Sequence, residues 1–243
     1  MNTTMQTVRD VVAADFRTAA VFQKHGLDFC CGGDVSLEEA CGRKGLDTDS
    51  IRLELDAVLR SPRDGAPDYN AWEPDFLVDY IVANHHAYVR RVLPTVRHHA
   101  EKVARVHGAR HPETVQIAEL FNRVAAELDS HMMREESILF PYMKNIAAAA
   151  RAGETIAPPM FGSVRNPIAV MEMDHDAAGD ALESMRKLSS DYPPPEDACM
   201  TYRVLYQELA EFEADLHKHV HLENNILFPK SIALEERVVA VPS

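Results

Sequence analysis

The stretches "HMMREESILFP" (131–141) and "HVHLENNILFP" (219–229) decide how this chain is read. Both place a His, a Glu four residues later, and then Ile-Leu-Phe-Pro. A repeated apolar tail is ordinary helix packing. A repeated His and Glu at one offset asks for a chemical reason.

Followed in steps of three and four, the first copy lies on the series Ile117, Phe121, Val124, Leu128, His131, Glu135, Ile138. The second lies on Leu205, Leu209, Phe212, Leu216, His219, Glu223, Ile226. Both are apolar helical seams of the kind that face a bundle interior. Each is interrupted by the His–Glu pair, whose members share one face about a turn apart. An uncompensated imidazole and carboxylate in a core are costly, so they must pair with each other or hold a metal.

Two further seams carry one histidine each. They run Val82, His86, Val89, Leu93, Val96, Ala100, Val103 and Ile168, Met171, His175, Ala178, Leu182, Met185. The four helices open at "WEPDFLVDYI", "RHPETVQIAEL", "VRNPIAVMEM" and "PPPEDACMTY", each with Pro near its start and all but the third with an acid beside it. Connections such as "HGARHP" and "SSDYPPPED" are too short for anything but antiparallel neighbours. The expectation is an all-α, up-down four-helix bundle over 75–237.

Antiparallel packing brings His86 level with His131. The inward set is then His86, His131, Glu135, His175, His219 and Glu223. Two carboxylates bridging two metals, with two imidazoles on each, give four protein bonds per ion. Such a set suits a pair of iron ions with an oxo or hydroxo bridge and room for an outside ligand. His107 falls on the first seam but about 31 Å beyond His86 at roughly 1.5 Å per residue, so it is expected outside the set. Glu127 and Asp215 each precede a candidate histidine by four residues. They read as solvent-facing acids, or as partners orienting the imidazoles. His85, His217 and His221 are expected on the surface.

Residues 1–60 form a separate small helical unit around "HGLDFCCGGDVSLEEACGRKGLD", with Ser36 as a helix N-cap, and 61–74 read as a linker. Cys30 and Cys31 stand about 3.8 Å apart at Cα, below the roughly 4.4–6.8 Å of ordinary disulfides, so free thiols in an accessible turn are expected. That setting fits metal hand-off, nitrosyl binding or a bridge to a second copy in a homodimer, with two incidental small residues as the open alternative. Cys41 and Cys199 are expected to be core thiols.

The net charge of −13 argues against a nucleic-acid partner and against anionic lipid. No run approaches the roughly 20 apolar residues of a membrane span, and the start has no signal-peptide block, so a cytoplasmic location is expected.

"FCCGG" (29–33), "ARVHG" (104–108), "HMMREESILFP", "MDHDAAG" (173–179) and "HLENNILFP" together resemble the RIC family, named for repair of iron centres. The resemblance implies a hemerythrin-like bundle behind a small CCGG-bearing domain. It implies a di-iron protein acting on iron–sulfur proteins damaged by nitric oxide or peroxide, and it maps the family's metal ligands onto the same six residues. The motif histidine of "RVH" falls on His107. Iron supply to damaged clusters is the leading function. Binding of nitric oxide or dioxygen, or reduction of nitric oxide at the iron pair, would need the same open site.

Overall fold

The structure, a computed structural model, describes residues 7–30, 32–62, 65 and 67–240. Among the described residues there is no strand, only two isolated β-bridges, so the all-α expectation holds. Nor is any helix among them long and apolar enough to cross a membrane.

The N-terminal unit holds α1 (Val8–Ala14), α2 (Ala19–Lys24), α3 (Leu37–Lys44) and α4 (Thr48–Arg60). Its helix starts follow the local chemistry. Thr7 and Asp10 form a reciprocal capping box on α1, Ser36 accepts from Glu39 N as expected, and Asp47 accepts from Ser50 N.

Four rods follow. The first comprises α5 (Pro74–Ile81), a π-helical turn at Val82–His86, and α6 (Ala87–His107). The second comprises α7 (Glu113–Arg134), a π turn at Glu135–Leu139, and α8 (Phe140–Ala152). The third is the continuous α9 (Arg165–Ser189). The fourth comprises α10 (Met200–Leu222), a π turn at Glu223–Leu227, and α11 (Phe228–Val238). Helix α6 packs between α7 and α10, and α9 lies against α7 and α10.

The π turns have a partial cause in sequence. A proline follows the second and third at the start of α8 and α11. Its ring crowds the carbonyl four residues back, and it has no N–H to return to that carbonyl, so the preceding turn widens. The turn at Val82–His86 has no such proline. The widening also explains a departure from the seam. Ile138, expected inside, is 50% exposed, and Leu139 takes the core place at 1%. One extra residue in the turn rotates everything after Glu135.

Two apolar clusters divide the bundle. One gathers Val89, Leu128, Met132, Ala178 and Leu216 with most of the N-terminal unit; the other gathers Ile81, Leu139, Phe140, Met171 and Phe228. The expected site residues fall at the junction of the two on every rod. Pro94 lies within α6 without reversing it, so the first rod runs on to His107.

The stretch expected as a linker is packed in its second half. Tyr69 is buried, Trp72 stacks edge-on against Tyr69, Phe76 and Tyr80, and Lys230 donates to the carbonyls of Asn70 and Trp72. Lys218 sits over the rings of Phe16, Tyr69 and Tyr80.

Candidate metal centre

Each rod delivers its polar residues to one level. His86 and Glu223 sit at the end and the start of π turns, Glu135 opens another, and His175 comes from the unbroken α9. All six side chains are at most 3% exposed.

They form two quartets, His86–Glu135–His219–Glu223 and His131–Glu135–His175–Glu223, whose ligand atoms lie within 4.8 Å of one another. Both glutamates belong to both quartets, and each carboxylate is split between them. Glu135 Oε2 is 3.3 Å from His86 Nε2, and its Oε1 is 3.3 Å from His131 Nε2. Glu223 Oε1 is 3.0 Å from His219 Nε2, and its Oε2 is 3.2 Å from His175 Nε2.

Three imidazoles are held from behind. His86 Nδ1 donates to Glu136 Oε1 at 2.6 Å, which Arg90 also engages at 2.8 Å. His131 Nδ1 donates to Asp174 Oδ2 at 3.1 Å, paired in turn with Arg134 at 2.6 Å. His175 Nδ1 donates to Asn224 Oδ1 at 2.8 Å. His219 Nδ1 is buried and has no hydrogen-bond partner among the described residues. With the protons fixed on Nδ1, the Nε2 lone pairs point inward.

These groups fit a cation. The Nε2 atoms of His131 and His175 lie 3.0 Å apart, where two lone pairs need a positive centre between them. Among the described residues, both oxygens of Glu135, Oε2 of Glu223 and Nε2 of His86 are buried without a hydrogen-bond partner. Separations of 3.0–3.3 Å are those of neighbouring ligand atoms on one ion with bonds of about 2.1 Å meeting near right angles. Neutral imidazole with carboxylate is a donor set that suits iron.

Electrostatics without metal point the same way. Burial pushes His131 down, but the Glu135 carboxylate overcomes it and raises the imidazole to about 9. His86 is likewise raised by Glu135 against the effect of its burial, while burial wins at His219 and lowers it. Burial opposes both carboxylates, and Glu223 also opposes Glu135. The facing histidines nevertheless hold Glu135 below, and Glu223 well below, the ordinary glutamate value.

Several expected placements are corrected. His85 and His221 are buried rather than at the surface, and His217 is half-buried. His85 Nδ1 donates to Asp215 Oδ1 at 2.9 Å, so that acid orients a neighbour rather than His219; Glu127 is exposed. His221 packs between Phe16 and Phe29, and burial lowers it to about 3. Cys41 is in the core as expected, but Cys199 is exposed, at the residue just before α10 and without a side-chain bond to its first turn. His107 lies at the other end of the bundle, 3.2 Å from Cys199 Sγ and with its ring tilted against Tyr202, outside both quartets. Cys30, expected in an accessible turn, is 3% exposed, its N–H bonded to Asp28 at 2.9 Å; Cys31 lies outside the described residues.

The partners Glu136, Asp174 and Asn224 were not picked out from sequence. Each is next to a candidate ligand (Glu135, His175 and Glu223), and that adjacency was the available signal.

Comparison with known proteins agrees with the geometry. A family model described as "Hemerythrin HHE cation binding domain" matches residues 77–231, and one described as a domain of unknown function, DUF542, matches residues 4–59. The chain is 36% identical over 230 residues to the iron-sulfur cluster repair protein YtfE of Enterobacter sp. (strain 638), covering 95% of this chain and 98% of that protein. It is also 36% identical over 216 residues to the proteins of that name from Yersinia pestis (strain Pestoides F) and Yersinia pseudotuberculosis serotype O:1b (strain IP 31758), covering 89% of this chain and 91% of each. The chain therefore belongs to the family of hemerythrin-like iron–sulfur cluster repair proteins.

Proposed function

We propose that His86, His131, Glu135, His175, His219 and Glu223 hold two iron ions, and that the chain supplies this iron to rebuild iron–sulfur clusters damaged by nitrosative or oxidative stress in the cytoplasm. The observation that carries the reading is the sharing of both glutamates by both quartets. One carboxylate oxygen for each ion is the arrangement of a bridging ligand. The relatives named for cluster repair, similar over nearly the whole chain, supply the process.

Iron held by these six residues would be a labile cargo able to take small ligands such as nitric oxide. The protein's part is to keep the imidazoles aimed. Glu136 and Asp174 fix the ring protons of His86 and His131 on Nδ1, leaving Nε2 free to bind. Because the ligands must shed protons to bind, acid competes with iron and favours its release. The adjacent thiols of Cys30 and Cys31 in the sequence are the proposed receivers or donors of the metal, and Cys30, buried at 3% exposure, would have to be uncovered for that exchange.

Iron-loaded protein should reactivate an aconitase-type enzyme whose cluster has been destroyed by nitric oxide, and Glu135→Leu should not. Equal reactivation by both would sink the proposal.

A further inference from the structure

The histidines of the site differ in what stands behind them. Glu136 and Asp174 are carboxylates, which as anions only accept, so they leave His86 and His131 one choice of ring proton. Asn224 behind His175 is an amide, with a donor end and an acceptor end that can exchange places. Something must decide which end His175 meets.

The deciding contact comes from the N-terminal unit. Asn224 is buried on the π turn after Glu223, and its Nδ2 points at the main-chain carbonyl of Cys30, 3.4 Å away. A carbonyl oxygen can only accept, so the end facing it is the NH2. Oδ1 then faces His175 Nδ1, which must carry the proton, and Nε2 keeps its lone pair toward Glu223 Oε2 at 3.2 Å. The next residue repeats the clasp. Asn225 Nδ2 donates to the carbonyl of Phe29 at 3.1 Å and to His221 Nδ1 at 2.8 Å.

We infer that Asn224 is a positioning residue that makes metal retention at the His131–His175 end of the site depend on the seating of the Phe29–Cys30 segment. The inference rests on the reading of the site as a holder of two iron ions. At 3.4 Å the Asn224–Cys30 contact is the longest in the chain of bonds and the first to part. Once the carbonyl withdraws, the amide is free to turn over and donate to Nδ1. The ring proton then belongs on Nε2, and His175 can no longer bind a metal. The segment borders a groove of about 1320 Å³ that Phe29, Cys30, Asp176 and His217 help to line, so it has space to move. The His86–His219 end shows no such connection among the described residues: Glu136 accepts from one ring, and Nδ1 of the other has no hydrogen-bond partner there.

Gly33 supplies a handle away from the metal. A Cβ there would stand 2.8 Å from the Phe29 carbonyl oxygen and 3.1 Å from the backbone nitrogen of Arg9, so Gly33→Ala must push the segment. The test follows loss of iron from the full-length, iron-loaded protein to a ferrous chelator, after metal content has been measured. The wild type should lose its two ions in separable phases, and Gly33→Ala should speed one phase by about tenfold. Asn224→Asp gives His175 the acceptor-only partner that Glu136 gives His86, so in that background Gly33→Ala should change nothing.

An unchanged wild-type response to Gly33→Ala, equal acceleration of both phases, or the same acceleration with Asp at 224 would overturn the inference. Should Gly33→Ala fail to fold, the single variants decide: Asn224→Leu should speed one phase by about tenfold and Asn224→Asp should not. A wild type that never holds two irons overturns the reading of the site itself, and the metal assay separates that failure from the others.

Discussion

At the scale of single residues, the site works because opposite demands meet on one atom. His131 is raised to about 9 by Glu135, so at pH 7 the metal-free protein carries a proton there that a metal must expel. Iron affinity should therefore climb with pH through neutrality and level off above about 9, and proton release on binding should be visible by calorimetry in buffers of different ionisation enthalpy. The same group acts in the opposite sense on the metal-free fold. A folded value raised above the ordinary 6.5 contributes stability that is complete below 6.5 and lost as pH rises toward 9, which denaturant midpoints across that range would register. Substitutions should also sort by sharing. Glu135→Leu removes an oxygen from both quartets and should abolish binding of both ions, while His219→Ala strips one quartet and should leave about one iron per chain by elemental analysis. The six inward residues were legible in the sequence because their seams have a period. Glu136, Asp174 and Asn224 were not, since each acts across to another rod and no spacing along one helix marks such a partner.

The helices themselves were readable from their starts and apolar seams, but their internal geometry was not. A seam drawn in steps of three and four assumes a constant turn, and the π turn at Glu135–Leu139 breaks that assumption at Ile138. One element-level device was equally hidden. Glu235 of α11 is buried and accepts from Tyr142 Oη at 2.7 Å, Ser163 Oγ at 2.6 Å and Val164 N at 2.7 Å, tying α8 and the start of α9 to the last helix. Its charge also stands where the dipole of α9 favours an anion. Glu235→Leu leaves the buried Val164 N–H and the half-buried Tyr142 and Ser163 hydroxyls without their acceptor, and a loss of about 3 kcal/mol is expected in urea titrations of the metal-free protein. Phe228→Ala empties a fully buried ring site beside His175, and should cost about 3–5 kcal/mol.

For the whole molecule, a single apolar cluster runs from Val8, Phe22 and Leu55 through Val96 and Phe121 to Phe212. The sequence separates a small unit from a bundle, because composition changes at residue 61, yet composition cannot show that the two faces are apolar and matched. Residues 1–60 and 61–243 expressed as two pieces should therefore co-purify, and the bundle piece alone should aggregate or melt at lower temperature. Lys218, caged by Phe16 from one unit and Tyr69 and Tyr80 from the other part of the chain, is one of the rivets.

The enclosure of the six side chains, none more than 3% exposed, has a kinetic consequence. On the function proposed above, an acceptor in solution would reach iron held there only when the protein breathes, so delivery would wait on a gate rather than on collision. Raising the acceptor concentration should quicken transfer only up to a ceiling, the frequency of local opening, and that ceiling should climb steeply with warming.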